Sequence, residues 1–326
     1  MGSGQDMPRN KCDKALPGVP PLSKGPTNIA ASVHQRLLNL AHERKEDFGF
    51  LLTKYALERM LFRISQSKYR DVFILKGALM FELWTAQPYR PTRDADFLAT
   101  GENSLERLGS IFKEVCGTVV VNDGLRFDPE SVVAMRIKED AEYEGVRVSI
   151  VGYLGKARVP TQIDIGFGDA ITPAVAKMEF PSMLDFPKAT LLTYPKETAI
   201  AEKFEAMVKL GMANSRMKDF YDVRSLSRAF PFNGRILSDA IRNTFDRRNT
   251  PVPGKKAPVA FTTEFFADEN KKKQWNAFCN KNSSYIADTP LEGVCLEIAG
   301  FLMPVVEAMG KKEPFDHLWS PHGPWI

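Results

Sequence analysis

The fold of this chain is decided by residues 72–98, which read VFILKGALMFELWTAQPYRPTRDADFL. The apolar run at residues 72–75 is typical of a short buried strand. It ends at Lys76-Gly77-Ala78, and the pattern of residues 79–84 predicts a helix that turns away from the strand. The stretch therefore predicts a strand–glycine–helix unit followed by a second strand around residues 94–98.

Two aspartates share one face of that second strand. Alternate residues of a strand point the same way, so Asp94 and Asp96 lie together while Ala95 and Phe97 face the core. Neighbouring carboxylates repel unless a cation lies between them, and Mg²⁺ prefers such hard oxygen ligands. The pattern indicates a metal site for phosphoryl or nucleotidyl transfer. Two acidic residues on an exposed strand edge are the alternative interpretation.

Gly77 and Ala78 directly precede the predicted helix. Backbone N–H groups at a helix N-terminus bind phosphate, and glycine lets a ligand approach the backbone closely. Both residues are therefore candidates for holding a triphosphate, although a simple turn glycine explains Gly77 equally well.

A third carboxylate occurs in the pattern Gln162-Ile163-Asp164-Ile165-Gly166. The isoleucines form the apolar face of a strand, and Asp164 lies on the opposite face. Beside the strand of Asp94 and Asp96, Asp164 would complete a two-metal cluster, bind the metal that activates the acceptor hydroxyl and help to take its proton. Asp169 is a competing candidate, and a solvent-facing Asp164 on an amphipathic strand is the alternative.

The C-terminal part of the chain supplies two more candidates. Lys203 lies at the border of an apolar helical stripe, from which its ammonium could contact a phosphate or extend into solvent. Asp219 falls inside the inward-facing arc of the next helix, where a carboxylate is costly without a partner. It either belongs to the site, paired with Lys203, an arginine or a nucleotide, or forms a structural pair with Arg216 or Arg224.

The residue patterns change twice along the chain. Residues 1–27 are rich in Pro, Gly and Lys and predict a flexible lead. Residues 28–194 predict an α+β domain with a mixed sheet, and residues 195–326 predict a helical domain. Helices are predicted from about residue 29 and near residues 48–67, 79–84, 104–115, 196–210, 217–230, 236–248, 269–280 and 291–309, and further strands near residues 147–153, 161–167 and 188–194.

Composition limits the classes of function. Hydrophobic residues make up 44% and charged residues 26% of the 326 residues, as in soluble folded proteins. A net charge of +4 permits an anionic partner without demonstrating one, and the basic clusters at residues 247–248, 255–256 and 271–273 could each be a solvated face. The four cysteines lack zinc or redox spacing, and with four histidines a histidine-built metal site is not expected. No stretch has the apolar pattern of a signal peptide or a membrane span, which predicts a cytoplasmic protein without a membrane partner.

Together, these motifs resemble the AbiEii-like nucleotidyltransferase toxins of type IV toxin–antitoxin, abortive-infection and phage-defence systems. The resemblance extends from about residue 28 to at least residue 230. It is carried by Lys76-Gly77-Ala78, residues 90–96 (RPTRDAD), the strand around Asp164, Lys203 and residues 215–223 (SRMKDFYDV). It implies a DNA-polymerase-β-like nucleotidyltransferase core followed by a helical domain, with the active site in the cleft between them.

The resemblance also implies roles for individual residues. The family's paired aspartates correspond to Asp94 and Asp96, and its later lysine and aspartate to Lys203 and Asp219. It implies two Mg²⁺ ions, transfer of a nucleotide from a nucleoside triphosphate to the 3′ end of tRNA, and an antitoxin encoded nearby that does not necessarily form a stable complex. The expected nucleotide-binding residues are Lys76, Gly77, Ala78, Arg93 and Lys203.

Ala78 departs from the family pattern, which usually has Gly or Ser after the motif glycine. A serine hydroxyl that could hold a triphosphate oxygen is therefore missing. Because backbone binding survives with alanine, we expect altered affinity or selectivity rather than inactivity.

Other functions stay open from the sequence. The same fold could transfer a phosphoryl group or a nucleotide to a protein, or modify a small molecule. A non-catalytic nucleotide-binding regulator is a further alternative, against which the retention of the expected acidic and basic residues argues. The identity of the triphosphate depends on pocket geometry.

Overall fold

The computed structural model describes residue 1 and residues 28–85, 89, 91–140, 143–254, 256–283, 286 and 289–326, with residues 138–140, 143 and 144 described by their backbone alone. The remainder of the predicted lead at residues 1–27, together with Arg90 and Lys255, lies outside the described residues.

A seven-stranded mixed sheet forms the first half of the molecule. Its strands are β1 (Phe73–Lys76), β2 (Asp94–Ala99), β3 (Leu125–Asp140), β4 (Tyr143–Leu154), β5 (Ala157–Phe167), β6 (Ala176–Phe180) and β7 (Ala189–Thr193). Across the sheet their order is β3-β4-β5-β2-β1-β7-β6. Strand β2 pairs in parallel with β5 and antiparallel with β1. This order brings Asp164 of β5 next to the aspartates of β2.

The helices of this half are α1 (Ile29–Arg44), α2 (Phe48–Gln66), α3 (Leu79–Thr85) and α4 (Leu105–Cys116). The side chains of Asn28, Asp47 and Ser104 accept hydrogen bonds from first-turn N–H groups and so define where α1, α2 and α4 begin. These three helices share a core with one face of the sheet, in which Phe73 and Phe97 are buried. The opposite face carries Asp94 and Asp96.

The chain after β7 is mainly helical. Its elements are α5 (Lys196–Leu210), α6 (Met217–Ala229), α7 (Gly234–Arg247), α8 (Thr263–Phe266), α9 (Glu269–Lys281) and α10 (Leu291–Lys311), with the short strands β8 (Phe232–Asn233) and β9 (Leu318–Trp319). A second core forms here around buried aromatic side chains such as Phe204, Phe220 and Phe301. The main sheet ends with Thr193, close to the predicted boundary, and the division into two domains stays a prediction.

The predicted α+β class with a mixed sheet followed by a helical part is confirmed. Every helix predicted from the sequence is present, and α5 begins at Lys196 as predicted, with Pro195 as its N-cap. The elements β3, β6, α8, β8 and β9 were not predicted individually.

The expectation that no segment resembles a membrane span is wrong for α10. Within the described part of the chain, this is the one helix that is long and apolar enough to cross a membrane by length and composition. One side of α10, including Val294, Ile298 and Phe301, is buried in the second core. The apolar residues of α10 are therefore explained by their packing in this core.

Candidate active site

A cleft lies between the open face of the sheet and helices α5 and α6. It encloses about 720 Å³. Its walls include every predicted site residue except Arg93, namely Lys76, Gly77, Ala78, Asp94, Asp96, Asp164, Lys203 and Asp219. Arg93 is exposed, so its role in nucleotide binding stays a prediction.

Three carboxylates converge at the floor of the cleft. Asp96 of β2 pairs in register with Asp164 of β5, and Asp94 pairs with Gln162. Asp94, Asp96 and Asp164 each offer an oxygen atom within 4.8 Å of the other two. Burial, and after it the negative charge of Asp94, raises the pKa of Asp96 to about 6. Since the donors are hard oxygens crowded with like charge, the set suits Mg²⁺.

Asp169, the competing third carboxylate, lies outside this cluster. Its side chain accepts from Lys76 Nζ at 3.1 Å and from Arg248 at 3.0 Å. Burial alone would raise the pKa of Asp169, but the charges of Lys76 and Arg248 hold the pKa below its ordinary value. Of the two candidates, Asp164 is therefore the one that lies with Asp94 and Asp96, and its role as a ligand stays a prediction.

Arg147 was missed by sequence reasoning. It lies opposite Asp164 in the pairing of β4 with β5, and its guanidinium donates to both Asp164 oxygens at 2.8 and 2.7 Å. This pairing raises the pKa of Arg147 above its usual value. A carboxylate has about four acceptor positions, so Asp164 keeps lone pairs for a metal ion. The sequence shows that Arg147 lies on an alternating strand. That this strand lies beside the strand of Asp164 is known only from the strand order.

Gly77 allows the close approach of β1 to the carboxylate cluster. Its φ of +75° lies in the left-handed region that L side chains rarely adopt. A Cβ atom built at this position would lie 1.9 Å from Asp96 Oδ2. Glycine is therefore required for Asp96 to occupy its place, and contact between Gly77 and a phosphate stays a prediction.

Lys203 and Asp219 face the carboxylate cluster from α5 and α6. Lys203 Nζ lies 2.7 Å from Asp219 Oδ1 and 2.8 Å from Asp222 Oδ2, and Arg216 lies 2.7 Å from the other Asp219 oxygen. Burial acts to raise the pKa of Asp219, but the charges of Lys203 and Arg216 outweigh it and lower the pKa. Asp219 therefore pairs with Lys203, the partner expected in a functional site, and also with Arg216, the partner expected in a structural ion pair.

Arg224, the other structural candidate, instead pairs with Glu297 of α10. Asp222 was missed as a site residue. It is completely buried and accepts a hydrogen bond from the Tyr89 hydroxyl at 3.1 Å. Its spacing of one helical turn from Asp219 was the available signal.

Clustered carboxylates on adjacent strands, facing a lysine across a cleft, define a site suited to metal-assisted phosphoryl or nucleotidyl transfer. A family model described as "Nucleotidyl transferase AbiEii toxin, Type IV TA system" matches residues 59–297. The chain belongs to this family of nucleotidyltransferase toxins, which confirms the resemblance.

Two solved structures from Helicobacter pylori are similar to the chain. A candidate nucleotidyltransferase has a TM-score of 0.44 and 13% sequence identity, with 80% of this chain and 96% of that chain covered. The protein JHP933 has a TM-score of 0.43 and 14% identity, with 81% and 94% covered. A comparison with curated proteins finds no match.

Proposed function

We propose that the protein transfers a nucleotide from a nucleoside triphosphate to the 3′ hydroxyl of tRNA in a Mg²⁺-dependent reaction, and that it acts as the toxin of a type IV toxin–antitoxin system in phage defence. The observation that carries the proposal is the three-carboxylate cluster of Asp94, Asp96 and Asp164. Family membership supports nucleotidyl transfer. The cytoplasm, where tRNA and triphosphates occur, is the proposed location.

In this proposal, Asp94, Asp96 and Asp164 hold two Mg²⁺ ions. When bound, Mg²⁺ would polarise phosphate oxygens and offset charge on the leaving pyrophosphate. The acceptor hydroxyl oxygen forms a bond to the α-phosphorus, and the bond from that phosphorus to the oxygen of the β-phosphate breaks. Pyrophosphate leaves, and Asp164 accepts the hydroxyl proton.

Lys203 binds the triphosphate in the same proposal. Its ammonium lines the cleft and is oriented by Asp219 and Asp222. The backbone of Gly77 and Ala78 lines the same cleft and would contact phosphate oxygens. Alanine at position 78 supplies no hydroxyl, so the affinity for the triphosphate is expected to differ from that of relatives with serine.

The proposal is tested by incubating purified protein with total tRNA, Mg²⁺ and each α-³²P-labelled triphosphate separately. Labelled RNA is expected with wild type and with Asp239→Asn, a substitution on α7 that removes a partly exposed carboxylate paired with Arg242 outside the cleft, but not with Asp96→Asn, which keeps the shape and removes the charge. Label on a protein, or equal labelling by Asp96→Asn, would contradict the proposal.

The partner expected from the family is an antitoxin encoded by a neighbouring gene. Co-expression of that gene should restore growth of cells that express the wild-type protein. Cells that express Asp96→Asn should grow without it, and toxicity of this variant would show that transfer is not the harmful activity.

A further inference from the structure

The carboxylate cluster continues into a long, open face of the sheet. Across the strands, Met135 of β3 pairs with Arg147 of β4, and Arg147 with Asp164 of β5. Further from the cluster, Val151 pairs with Pro160, and Tyr153 pairs with both Arg126 and Arg158. Directly paired residues point to the same side of a sheet, so all of these side chains share the face that carries Asp164.

This face differs sharply from the face packed on the helices. Residues of β4 that point to the helices, such as Val148 and Ile150, are buried in the first core. The intervening residues Ser149, Val151 and Tyr153 are only partly buried. On β3, the side chains of Val133 and Met135 are 52% and 45% exposed. The open face therefore presents apolar and aromatic groups to its surroundings next to the cluster.

The far end of the open face carries positive charge beside an aromatic ring. The guanidinium carbon of Arg126 lies 4.9 Å from the centroid of the Tyr153 ring. Arg158 lies on the other side of Tyr153, and Lys156 is exposed in the turn that joins β4 to β5. Asp128 is the one carboxylate among the described residues of β3–β5 that shares this end of the face.

We infer that the open face of β3, β4 and β5 receives the single-stranded 3′ end of the acceptor RNA, with phosphates at Arg126, Lys156 and Arg158 and a base stacked at Tyr153. This inference rests on the proposed function. Aromatic and arginine side chains on an exposed sheet are the means by which proteins hold unpaired bases and their backbone. Net positive charge complements RNA, and continuity with the carboxylate cluster directs the terminal hydroxyl to the proposed metals.

The dimensions agree with this occupant. From Arg147 to Tyr153, β4 extends about 20 Å at a rise of roughly 3.3 Å per residue. At about 3.4 Å per stacked nucleotide, the face has room for roughly six nucleotides. An RNA strand that ends at the cluster would therefore place upstream phosphates near the basic groups.

The test measures binding of a 5′-fluorescein RNA hairpin with a six-nucleotide single-stranded 3′ overhang by fluorescence anisotropy. We expect Tyr153→Ala to weaken binding by about tenfold, because a base–aromatic stack is worth ~1–3 kcal/mol. In the double variant Arg126→Ala/Arg158→Ala, the slope of log K against log salt should fall by about 1.4, since each phosphate contact contributes about 0.7 for single strands. Binding of a fluorescent triphosphate should not change.

Arg136→Ala is the matched control. Arg136 is an exposed arginine of β3 that pairs with Val146, whose side chain is buried on the opposite face. This variant should bind the hairpin as wild type does, and the same hairpin with a blunt end should bind all proteins equally weakly. Circular dichroism melts of each variant separate lost contacts from lost folding.

The outcomes distinguish this inference from the proposed function. If wild type labels RNA but the Tyr153 and arginine variants bind the overhang normally, the inference is wrong and the proposed function stands. If wild type labels no RNA yet its overhang binding depends on Tyr153, the proposed function is wrong and the RNA surface stands. If the Tyr153 and arginine variants still bind RNA but no longer bind the purified antitoxin, the face is a protein interface and the inference is wrong.

Discussion

Gly77 shows how one residue without a side chain can control a metal site. An alanine Cβ at this position would have to displace Asp96, whose Oδ2 lies 1.9 Å from the site of that atom. It would also have to adopt a φ of +75°, which strains an L residue. We expect Gly77→Ala to reduce Mn²⁺ binding and nucleotide transfer by at least about 100-fold, because a displacement of about 1 Å at a reacting centre costs that much. Isothermal titration calorimetry measures Mn²⁺ binding, and the transfer assay measures the rate of nucleotide transfer.

Gly109→Ala is the matched glycine control. It lies within α4, and a Cβ at Gly109 would meet no atom within 4 Å. Replacement of a glycine inside a helix should stabilise the protein by about 0.5–1 kcal/mol and leave Mn²⁺ binding unchanged. Normal Mn²⁺ binding by Gly77→Ala would refute the role assigned to the close approach.

The pKa of Asp96 predicts a pH dependence of metal binding. With a pKa of about 6 in the metal-free protein, the Asp96 carboxyl carries a proton below that pH, and a metal ion must displace it. The apparent Kd for Mg²⁺ should therefore rise about tenfold per pH unit below pH 6 and level off above about pH 7. Calorimetric titration with Mg²⁺ from pH 5 to pH 8 measures this. A flat profile below pH 6 would contradict it, and Asp96→Asn should show only weak binding that lacks this step.

Helices α5 and α6 act together by presenting Lys203 between two acids. Asp219 also contacts Arg216, whereas Asp222 contacts the Tyr89 hydroxyl. Asp222→Asn should lower kcat by roughly tenfold to 100-fold, because a charge-assisted hydrogen bond of ~1.5–3 kcal/mol that orients the ammonium is lost. Single-turnover transfer assays measure this effect.

Glu297→Gln provides the control for α6. Glu297 of α10 also binds arginines of α6, namely Arg224 and Arg228, but it does not line the cleft. The rate of transfer by Glu297→Gln should stay within about twofold of wild type, since a partly exposed pair contributes little. Equal losses of rate in both variants would mean that the ion pairs of α6 support folding rather than orient Lys203.

Local patterns predicted most elements, because strand and helix periodicity depend on neighbouring residues. Strand β6 was missed because its exposed and buried residues show no regular alternation, and β8 and β9 are only two residues each. The alternation around Asp164 predicted the direction of its carboxylate. That Arg147 would occupy the neighbouring position depended on β4 lying beside β5, a long-range pairing that no local pattern contains.

At the scale of the whole molecule, Arg248 connects the two halves through a group of ion pairs. Arg248 follows α7 and lies 3.0 Å from Asp169 beyond β5 and 3.0 Å from Glu205 of α5. It also lies 3.4 Å from Glu202, whose pKa is raised by burial. Asp169 in turn binds Lys76 of β1. The ion pairs therefore connect the helical half to strand β1, which Gly77 directly follows.

Arg248→Met should lower the free energy of unfolding by about 3–5 kcal/mol, because it removes the shared cation from buried carboxylates. The loss should be smaller at lower pH, since the raised pKa of Glu202 lets that group become neutral first. Urea denaturation at pH 7.5 and pH 5.5 measures both effects. Arg235→Met is the control, because its pair with Asp316 is well exposed and contributes little to stability. If the two variants lose equal stability, the Arg248 ion pairs do not hold the halves together.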